Sequence, residues 1–340
     1  MTDDDIEPIE PDVALQMYLQ SNSSELADST LAAHRRRLQL FVDWCDDQDI
    51  ETLDELSGRN LHEFSVWRQQ GIKTDSISPE TLRSALLTLR VYLRFAASID
   101  AVNPDLPERL VLPDEANRSR DEMLDTDRAR EILAYLDKYE YGTAVHAMLR
   151  VLRKTGIRAG TLRALDLQDY DRNQQSLEIE HRPETDTPLK NGNEANRLIA
   201  IGDRTCTVLD DYIDHTRPDV TDDHGREPLF ATAQGRRSRQ SIRANAYAWT
   251  RPCAVGAKCP HDRDPETCES NSWEDASTCP SSVSTHPIRR GAITHHLRED
   301  VPVAVASDRM DVSPDVLDEH YSQLTKQESM ERRRGFLDDI

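Results

Sequence analysis

The sequence has little lysine, few cysteines, few aromatic residues and no long hydrophobic run. Of its 42 basic residues only six are lysines, which leaves 36 arginines, and six residues are cysteines. No apolar run approaches the roughly 20 residues that a membrane-spanning helix requires, and the start Met1-Thr2-Asp3-Asp4-Asp5 is unlike a signal peptide. We therefore expect a cytoplasmic protein without a membrane partner. Its 340 residues are enough for two domains with separate cores.

Acidic residues greatly outnumber basic ones. The formal net charge is −21, whereas a nucleic-acid-binding protein usually carries a basic face. Two features weaken that objection. Arginine, which binds phosphate through two parallel donors, dominates the basic residues, and the acids are concentrated in short runs such as Asp46-Asp47 and Asp222-Asp223. Excess carboxylate with scarce lysine is typical of a protein that works in concentrated salt, where charges are screened. We interpret the composition as halophilic; the alternative is an ordinary acidic cytosolic enzyme.

The N-terminal third of the chain predicts a helical domain. Residues 1–10 contain five acids and no apolar periodicity, which predicts disorder. Residues 103–122 contain three prolines and no periodicity, so we interpret them as a linker. Between these segments, residues 11–102 contain four segments with a helical pattern, at about Pro11–Gln20, Ser29–Cys45, Arg59–Gln69 and Ser78–Leu93. Ser29-Thr30 is the predicted cap of the second segment, and Ser78, followed by Pro79, is that of the fourth.

Two groups of arginines lie on the predicted helices of this domain. Each of them alone is more typical of a solvated helix face, but together they are candidates for a surface that contacts phosphates. These arginines are Arg35, Arg36, Arg37, Arg83, Arg90 and Arg94.

Residues 123–340 predict a second domain that is mainly α (α+β) with a small antiparallel sheet. Leu177–His181 alternates as a strand does, Leu198–Ile201 predicts a second strand, and Asn191-Gly192 between them predicts a turn. Lys190 would then lie at the tip of a hairpin. A cysteine-rich insert occupies residues 252–283, and residues 325–340 form a polar, arginine-rich tail whose segment 325–337 has a helical pattern.

Five residues of the second domain form a chemical pattern. His286 and Arg289 lie one turn apart on one face of a predicted helix, Arg158 follows a Thr-Gly-Ile segment, and Lys190 precedes the turn. Guanidinium groups bind phosphate oxygens, an imidazole exchanges protons near neutral pH, and the phenol of Tyr321 can act as a nucleophile. Any one of these residues alone is more often structural. The ordered set, over about 165 residues, is a far more specific signal.

In order and spacing these residues resemble the tyrosine recombinase (phage integrase) family. The resemblance covers roughly the last two thirds of the chain, and the first third has the size and pattern of that family's helical, SAM-like DNA-clamping (core-binding) domain. The resemblance implies a site-specific recombinase that cleaves and rejoins double-stranded DNA through a 3′-phosphotyrosine link. It also implies that catalysis needs no metal or other cofactor.

The resemblance implies a role for each residue of the pattern. Tyr321 attacks the scissile phosphate, and Arg158 and Arg289 stabilise the negative charge that develops on the phosphoryl oxygens. Lys190 protonates the leaving 5′ oxygen. His286 handles the tyrosine proton or assists the arginines.

One family position differs in this sequence. Many relatives have a second histidine, or a tryptophan, between the His-x-x-Arg motif and the tyrosine, and the segment 306–313 contains neither residue. Asp308 or Arg309 lies nearest that position. Arg309 is the candidate for the missing phosphate donor, so the departure concerns one supporting role.

The resemblance also implies an assembly. The two domains would close around duplex DNA, and four protomers would form a homotetramer on two DNA sites, with the tail, residues 325–340, docking on a neighbour. Two alternatives remain open: a type IB topoisomerase that relaxes supercoils as a monomer, and a catalytically impaired DNA-binding relative. The sequence specifies neither the DNA site nor the outcome, whether integration, excision, dimer resolution or transposition.

The insert at 252–283 places four of the six cysteines and one histidine within 27 residues. Thiolates and imidazole are preferred zinc ligands, and disulfides are disfavoured in a reducing cytosol, so the pattern predicts a structural zinc site. The spacing lacks the close Cys-x2-Cys pairs of a zinc finger, and the alternative is a set of separate buried thiols. The predicted ligands are Cys253, Cys259, Cys268 and Cys279, with His261 as the substitute.

The charge balance predicts an unusual salt dependence. Each phosphate contact releases counterions, which weakens DNA binding as salt rises, but salt also screens the repulsion between DNA and a protein of charge −21, with a screening length of ~3 Å at molar strength. We expect DNA affinity to peak well above physiological salt. The fold should follow the same course, because crowded carboxylates repel one another in dilute buffer.

The measurement is DNA affinity and circular dichroism across a potassium chloride series. A folded protein whose affinity only falls from low salt upward would contradict the halophilic interpretation and leave the family resemblance intact.

Overall fold

The structure is a computed structural model, and it describes residues 6–71, 76–114, 122–321 and 330. The chain forms two units, Met1–Arg120 and Asp121–Ile340. Helices dominate both units, and the short antiparallel strands of the described residues all lie in the second unit. This is the mainly α (α+β) class that the sequence predicts.

The described residues of the N-terminal unit form four α-helices: α1 (Pro11–Ser21), α2 (Asp28–Asp47), α3 (Gly58–Gln70) and α4 (Pro79–Ser98). The predicted start of α4 is confirmed, because Ser78 accepts the N–H of Thr81 and Pro79 occupies the first turn. The predicted cap of α2 is wrong: the helix begins at Asp28, so Ser29 and Thr30 lie inside its first turn, and its N-cap residue makes no side-chain bond.

An aromatic cluster fills the core of the N-terminal unit. The rings of Phe41 and Phe64 meet edge to face at 5.1 Å, and Trp44 and Tyr92 pack around them. Tyr92 is fully buried, and its hydroxyl donates to the carbonyl oxygen of Pro11 at 3.0 Å. This bond gives the buried hydroxyl a partner and fixes the start of α1 against α4.

Both segments that flank this unit are more ordered than the sequence predicts. The disorder predicted for residues 1–10 does not hold for residues 6–10, since Ile9 packs on the core and the Glu7 N–H donates to Asp100. The linker predicted at 103–122 begins later, because Leu106 and Leu110 are buried in the same core. Single apolar anchors hold both segments, and these produce no periodicity for a sequence to display.

In the described part of the C-terminal unit there are eight α-helices, and α6 lies at their centre. Nearly every residue of α6 is buried, and the helix packs against α5, α8 and α10. A helix that is covered on almost all sides belongs to the interior of its domain. The eight are α5 (Thr126–Tyr139), α6 (Ala144–Thr155), α7 (Ala159–Ala164), α8 (Asp203–Asp211), α9 (Arg239–Thr250), α10 (Thr285–Arg298), α11 (Val303–Met310) and α12 (Pro314–Tyr321).

The strands of this unit form two small antiparallel sheets. The first has the order β1 (Tyr170–Asp171), β2 (Ser176–Ile179), β3 (Arg197–Ala200), and the second pairs β4 (Ala231–Thr232) with β5 (Gly235–Arg236). Both predicted strands are confirmed as β2 and β3, with Leu177 opposite Ile199. Leu177 and Ile179 are buried and Glu178 is exposed, which is the alternation that predicted β2.

The last three helices share a small core of their own. Ile293 and Leu297 of α10, Met310 of α11 and Leu317 of α12 are buried together. This packing sets α12, which ends at Tyr321, against the helix that carries His286 and Arg289. The side chain of Tyr321 lies outside the described residues, and so does the predicted helix at 325–337 apart from position 330.

A glycine sets the contact between α10 and the segment that enters the unit. A Cβ at Gly291 would lie 2.1 Å from the carbonyl oxygen of Leu124, whose N–H donates to Pro287 at 3.0 Å. We expect Gly291→Ala to lower the free energy of unfolding by about 1–3 kcal/mol, because backbone must move to admit the methyl group. Urea denaturation measures this.

The matched control is Gly202→Ala, where a Cβ would have nothing within 4 Å. Equal unfolding midpoints for the two variants would contradict the close approach at Gly291.

Candidate active site

Arg158 is positioned by the abrupt end of α6. Gly156 ends that helix in the left-handed conformation, with φ of 66°, and its N–H donates to Leu152. Arg158 is then the residue immediately before the first turn of α7. A Cβ at position 156 would also approach the Met310 sulfur to 3.0 Å. The glycine of the Thr-Gly-Ile-Arg segment therefore lets α6 turn directly into α7, with Arg158 at the corner.

Arg289 is the buried centre of the site. Its side chain lies in α10, and the residue is 5% exposed. Nη1 donates to the carbonyl oxygens of Gly156 and Met310, both at 2.7 Å, and Nη2 donates to that of Asp311 at 3.1 Å. Burial lowers the pKa of Arg289 to about 9, and the positive charge of Arg158 adds to the effect. At neutral pH Arg289 is therefore still a cation, and it joins α10 to the α6–α7 corner and the end of α11.

Lys190 lies in the connection between β2 and β3, as predicted. The residue is exposed, and its neighbour Leu189 is buried and donates its N–H to Nδ1 of His181 at 2.9 Å. On the other side of Lys190, the Asn191 amide donates to the carboxylate of Asp311 at 2.6 Å. The ammonium group is thus carried on a backbone that is held on both sides.

A buried network of ion pairs supports the base of this connection. Arg182 forms a two-point pair with the carboxylate of Asp169, at 2.6 and 2.8 Å. Asp166 is 2% exposed and is bound by Arg226 and Arg236. Because these buried carboxylates have dedicated arginine partners, neutralising them does not account for Arg158.

His286 stands in the first turn of α10 among positive charges. Partial burial of the ring lowers the pKa of His286 first, and the charges of Arg289, Arg290, Arg158 and Lys190 lower it further, in that order. The imidazole is therefore neutral at neutral pH and able to accept a proton. These interactions indicate that the predicted cations Arg158, Lys190 and Arg289 lie near one histidine.

Asp311 is the member of the site that the sequence pattern did not reveal. It ends α11 in the left-handed conformation, with φ of 51°. Its carboxylate forms an ion pair with Arg158 and accepts the bond from Asn191, while its carbonyl oxygen accepts the bond from Arg289. The chain contains so many acidic residues that the sequence gives no reason to select Asp311. The partner arginine lies 153 positions away, which no local pattern reports.

Arg309, the candidate for the missing donor, has a different partner. Its guanidinium donates to the carbonyl oxygen of Lys154 at 3.5 Å, and its own carbonyl oxygen accepts a bond from Arg197. Arg197 is a second residue near the site that the pattern missed. Burial lowers the pKa of Arg197, and the charges of Asp311 and Arg158 also influence it. The contacts seen for Arg309 are therefore with α6 and β3.

Three of the arginines predicted to contact DNA, Arg83, Arg90 and Arg94, hold the segment that follows α4. Arg83 donates to the carbonyl oxygen of Pro113, and Arg90 donates to that of Leu110. Arg94 forms an ion pair with the carboxylate of Glu108 at 2.7 Å. These contacts give all three a structural role. The sequence could not predict this, because two of the acceptors are backbone atoms in a segment without a pattern.

The other three, Arg35, Arg36 and Arg37, lie on α2. Arg37 donates to the hydroxyl of Thr88 on α4 at 3.0 Å, whereas Arg35 and Arg36 are exposed. Arg35 and Arg36 are thus accessible members of the predicted phosphate-contacting set, and the side chain of Arg94 is exposed as well.

The predicted metal ligands line one cavity. The thiols of Cys253, Cys259, Cys268 and Cys279 are unpaired, and with His261 they line one cavity of about 10 Å³. Within the described ranges, no three histidine, cysteine or carboxylate side chains are close enough together to hold a metal ion. In the same ranges, each helix is too short or too polar to cross a lipid bilayer.

The sequence matches two family models. The model described as Phage integrase family covers residues 122–328, and the model described as Phage integrase, N-terminal SAM-like domain covers residues 15–100. The chain is 29% identical over 239 residues to the tyrosine recombinase XerD of Mycobacterium tuberculosis, in an alignment that covers 67% of this chain and 73% of XerD.

Two solved structures share the fold. The Tn1549 transposon integrase in complex with a circular intermediate DNA has a TM-score of 0.68 at 13% identity, over 96% of this chain and 99% of that chain. A lambda integrase dimer bound to a COC′ core site has a TM-score of 0.62 at 11% identity, over 92% of this chain and 77% of that chain.

The first family model alone spans more than half of the chain. It includes the α6–α7 corner, the β2–β3 connection and α10 to α12, which together carry every residue of the predicted catalytic pattern. The chain therefore belongs to the phage integrase family and is a tyrosine-type site-specific DNA recombinase, an enzyme that breaks and rejoins DNA.

Proposed function

We propose that this recombinase cleaves a specific DNA duplex with the Tyr321 hydroxyl and conserves the broken bond as a 3′-phosphotyrosine link. The observation that carries the proposal is the convergence of Arg158, Arg289, Lys190 and His286 from three separate parts of the chain. Such a concentration of positive charge suits the extra negative charge of a phosphoryl-transfer transition state.

The carboxylate of Asp311 indicates where a phosphate would bind. One of its oxygens pairs with Arg158, and the other accepts a hydrogen bond from Asn191 at 2.6 Å, next to Lys190. Carboxylate and phosphate oxygens offer a guanidinium the same kind of charged acceptor. We infer that the scissile phosphate takes the place of this carboxylate when DNA binds.

The geometry supports different roles for the two arginines. Arg158 has a side chain that is 27% exposed, so it can contact an incoming phosphate directly. Arg289 is buried, and its recorded bonds go to backbone carbonyl oxygens, so it orders the pocket and contributes its positive field. A direct contact from Arg289 to phosphate would require one of these bonds to be exchanged.

The remaining two residues suit proton transfer. Lys190 is exposed on a held turn, which lets its ammonium group approach the leaving 5′ oxygen as a general acid. The lowered pKa of His286 keeps its imidazole neutral, so it can accept the proton of the attacking phenol. Lys190 thus acts on the leaving group and His286 on the nucleophile.

The partner that we propose is double-stranded DNA carrying a specific recombination site. The solved relatives support this, since the Tn1549 integrase is described in complex with DNA and the lambda integrase as a dimer on a core site. We propose that four protomers of this chain act on two sites, in the cytoplasm of a cell with concentrated salt. The charge of −21 and the excess of arginine over lysine support the last point.

Tyr321 provides the direct test of the mechanism. We expect Tyr321→Phe to bind DNA with unchanged affinity and to form no covalent adduct, because only the phenol oxygen is lost. The substrate is a duplex selected by binding from a random pool and then nicked, so that the cleaved strand diffuses away and the adduct accumulates. Denaturing gel electrophoresis detects the adduct.

Tyr247→Phe is the matched control for this experiment. Tyr247 lies on α9, where its hydroxyl accepts a bond from Arg243 at 3.0 Å, and the variant should form the adduct as wild type does. A covalent adduct with Tyr321→Phe would show that another residue is the nucleophile.

Asp311→Asn tests the proposed phosphate position. The change removes the negative charge from Arg158 and keeps an acceptor for Asn191. We expect the free energy of unfolding to fall by about 1–2 kcal/mol, since a charge-assisted bond becomes a neutral one. Measured in the Tyr321→Phe background, DNA affinity should rise about three- to tenfold, because phosphate no longer has to displace a carboxylate.

Asp308→Asn is the control, because it makes the same charge change at an exposed position of α11. If Asp311→Asn weakened DNA binding, or if both variants raised the affinity equally, the carboxylate would not mark the phosphate position.

A further inference from the structure

The segment 252–283, which we call the cysteine insert, has very little to hold it folded. It joins α9 to α10, and all of it is described. It contains three short 3₁₀ turns and neither an α-helix nor a strand. Its buried apolar side chains, apart from the partly covered thiols, are Ala276 and Val283. Ordering a backbone costs about 1–2 kcal/mol per residue, whereas burying one aliphatic side chain returns about 1.5–3 kcal/mol.

The base of the insert is well bonded. The Thr250 hydroxyl accepts the N–H of Val283 at 2.8 Å and lies 3.2 Å from its carbonyl oxygen, so the two ends of the insert meet. Arg128 of α5 donates to the carbonyl oxygens of Thr250 and Ser281. These bonds close the loop at its base. They do not stabilise the stretch between Cys253 and Cys279, which requires a further interaction of its own.

The four cysteines of that stretch line one cavity. They are Cys253, Cys259, Cys268 and Cys279, and the volume of the cavity is about 10 Å³. A cavity of about 10–15 Å³ accommodates one water-sized particle. Four residues separated by up to 26 positions thus border one space of the size of a single ion.

We propose that these four cysteines bind one zinc ion as thiolates, and that this ion holds the cysteine insert folded. Four cysteine thiolates, which leave no coordination position open, are a ligand set of structural tetrahedral zinc sites. In the described ranges the four cysteines line the cavity, but no three of them lie close enough together to hold an ion. Binding of the metal therefore draws the loop together, which makes metal affinity part of the folding free energy.

His261 lines the same cavity but has another partner. Its Nε2 lies 2.8 Å from the hydroxyl of Ser281, a contact that ties this part of the insert to its base. This leaves the four thiols as the ligand set, and the histidine beside it.

The charges around the cavity favour thiolates. Arg251 and Arg263 line it, and Arg128 is close enough to Cys279 to interact with its charge. Cations beside a thiolate offset the negative charge that four sulfurs bring to one zinc ion.

The first test is the metal content of the full-length chain, purified under reducing conditions without a chelator. Plasma mass spectrometry should find about one zinc per chain. Cys259→Ser and Cys268→Ser should each lose it, while Cys45→Ala and Cys206→Ala, the matched controls outside the insert, should keep it. His261→Ala should also keep it. Removing zinc with a chelator should lower the melting temperature of wild type by several degrees.

Two measurements on wild type keep the test valid if the serine variants fail to fold. A mercurial thiol reagent should release zinc in step with its reaction at the insert cysteines. Cobalt(II) substituted for zinc should give the intense charge-transfer absorption of tetrahedral thiolate coordination. Either result can be read without DNA cleavage, so this proposal and the proposed mechanism succeed or fail independently.

The proposal would be overturned by reduced wild-type protein that neither carries zinc nor takes it up. It would equally be overturned by zinc that survives in both serine variants, or by insert cysteines found paired in disulfides. Loss of metal from His261→Ala, with retention in one cysteine variant, would replace the ligand set proposed here.

Discussion

The buried guanidinium of Arg289 is the interaction on which the site depends. A cation that is 5% exposed needs its N–H groups satisfied, and Arg289 satisfies them with the carbonyl oxygens of Gly156, Met310 and Asp311. These carbonyls belong to the α6–α7 corner and to the end of α11. One planar group therefore fixes the relative position of Arg158, Asp311 and α10. Lysine could not replace it, because a compact ammonium lacks the forked donors that reach three acceptors.

The site also shows how a strongly acidic protein maintains a local concentration of positive charge. The buried acids nearby are assigned to arginines of their own: Asp169 to Arg182, and Asp166 to Arg226 and Arg236. Buried pairs of this kind contribute little net stability but are costly to break. They keep carboxylates of the β2–β3 region engaged, so the cations around His286 are offset mainly by Asp311, the acid that the proposed phosphate replaces.

Much of this architecture could be predicted from sequence because it rests on local periodicity. The four helices of the N-terminal unit, the pair β2 and β3, and the Ser78 cap follow from spacing and turn chemistry within a few residues. The short helices α11 and α12 were not predicted. β1 escaped prediction because two residues carry no period. The bonds from the arginines of α4 could not be predicted, because their acceptors, such as the carbonyl oxygen of Pro113, belong to a segment without a pattern.

The same distinction between local pattern and tertiary contact applies to the residues of the site. The order of Arg158, Lys190, His286 and Arg289 could be predicted through family resemblance, whereas Asp311 could not. Its place depends on a left-handed residue at the end of α11 and on a contact across 153 positions. A motif names residue types at fixed intervals. Which acid pairs with the cations of the motif is set by tertiary packing, and the sequence offers many acids that could have taken this place.

The difference in burial between the two arginines explains how one site can be both rigid and able to exchange ligands. Arg289 is fixed by bonds to backbone, which a substrate does not displace. Arg158 and Asp311 have side chains that are 27% and 13% exposed, and the bond between them is worth about 1–2 kcal/mol. A phosphate that replaces the carboxylate gives Arg158 a charged acceptor in return, while the pocket that receives the phosphate stays in place. This asymmetry, rather than the number of cations, is what suits the site to proposed phosphoryl transfer on a long, repulsive polyanion.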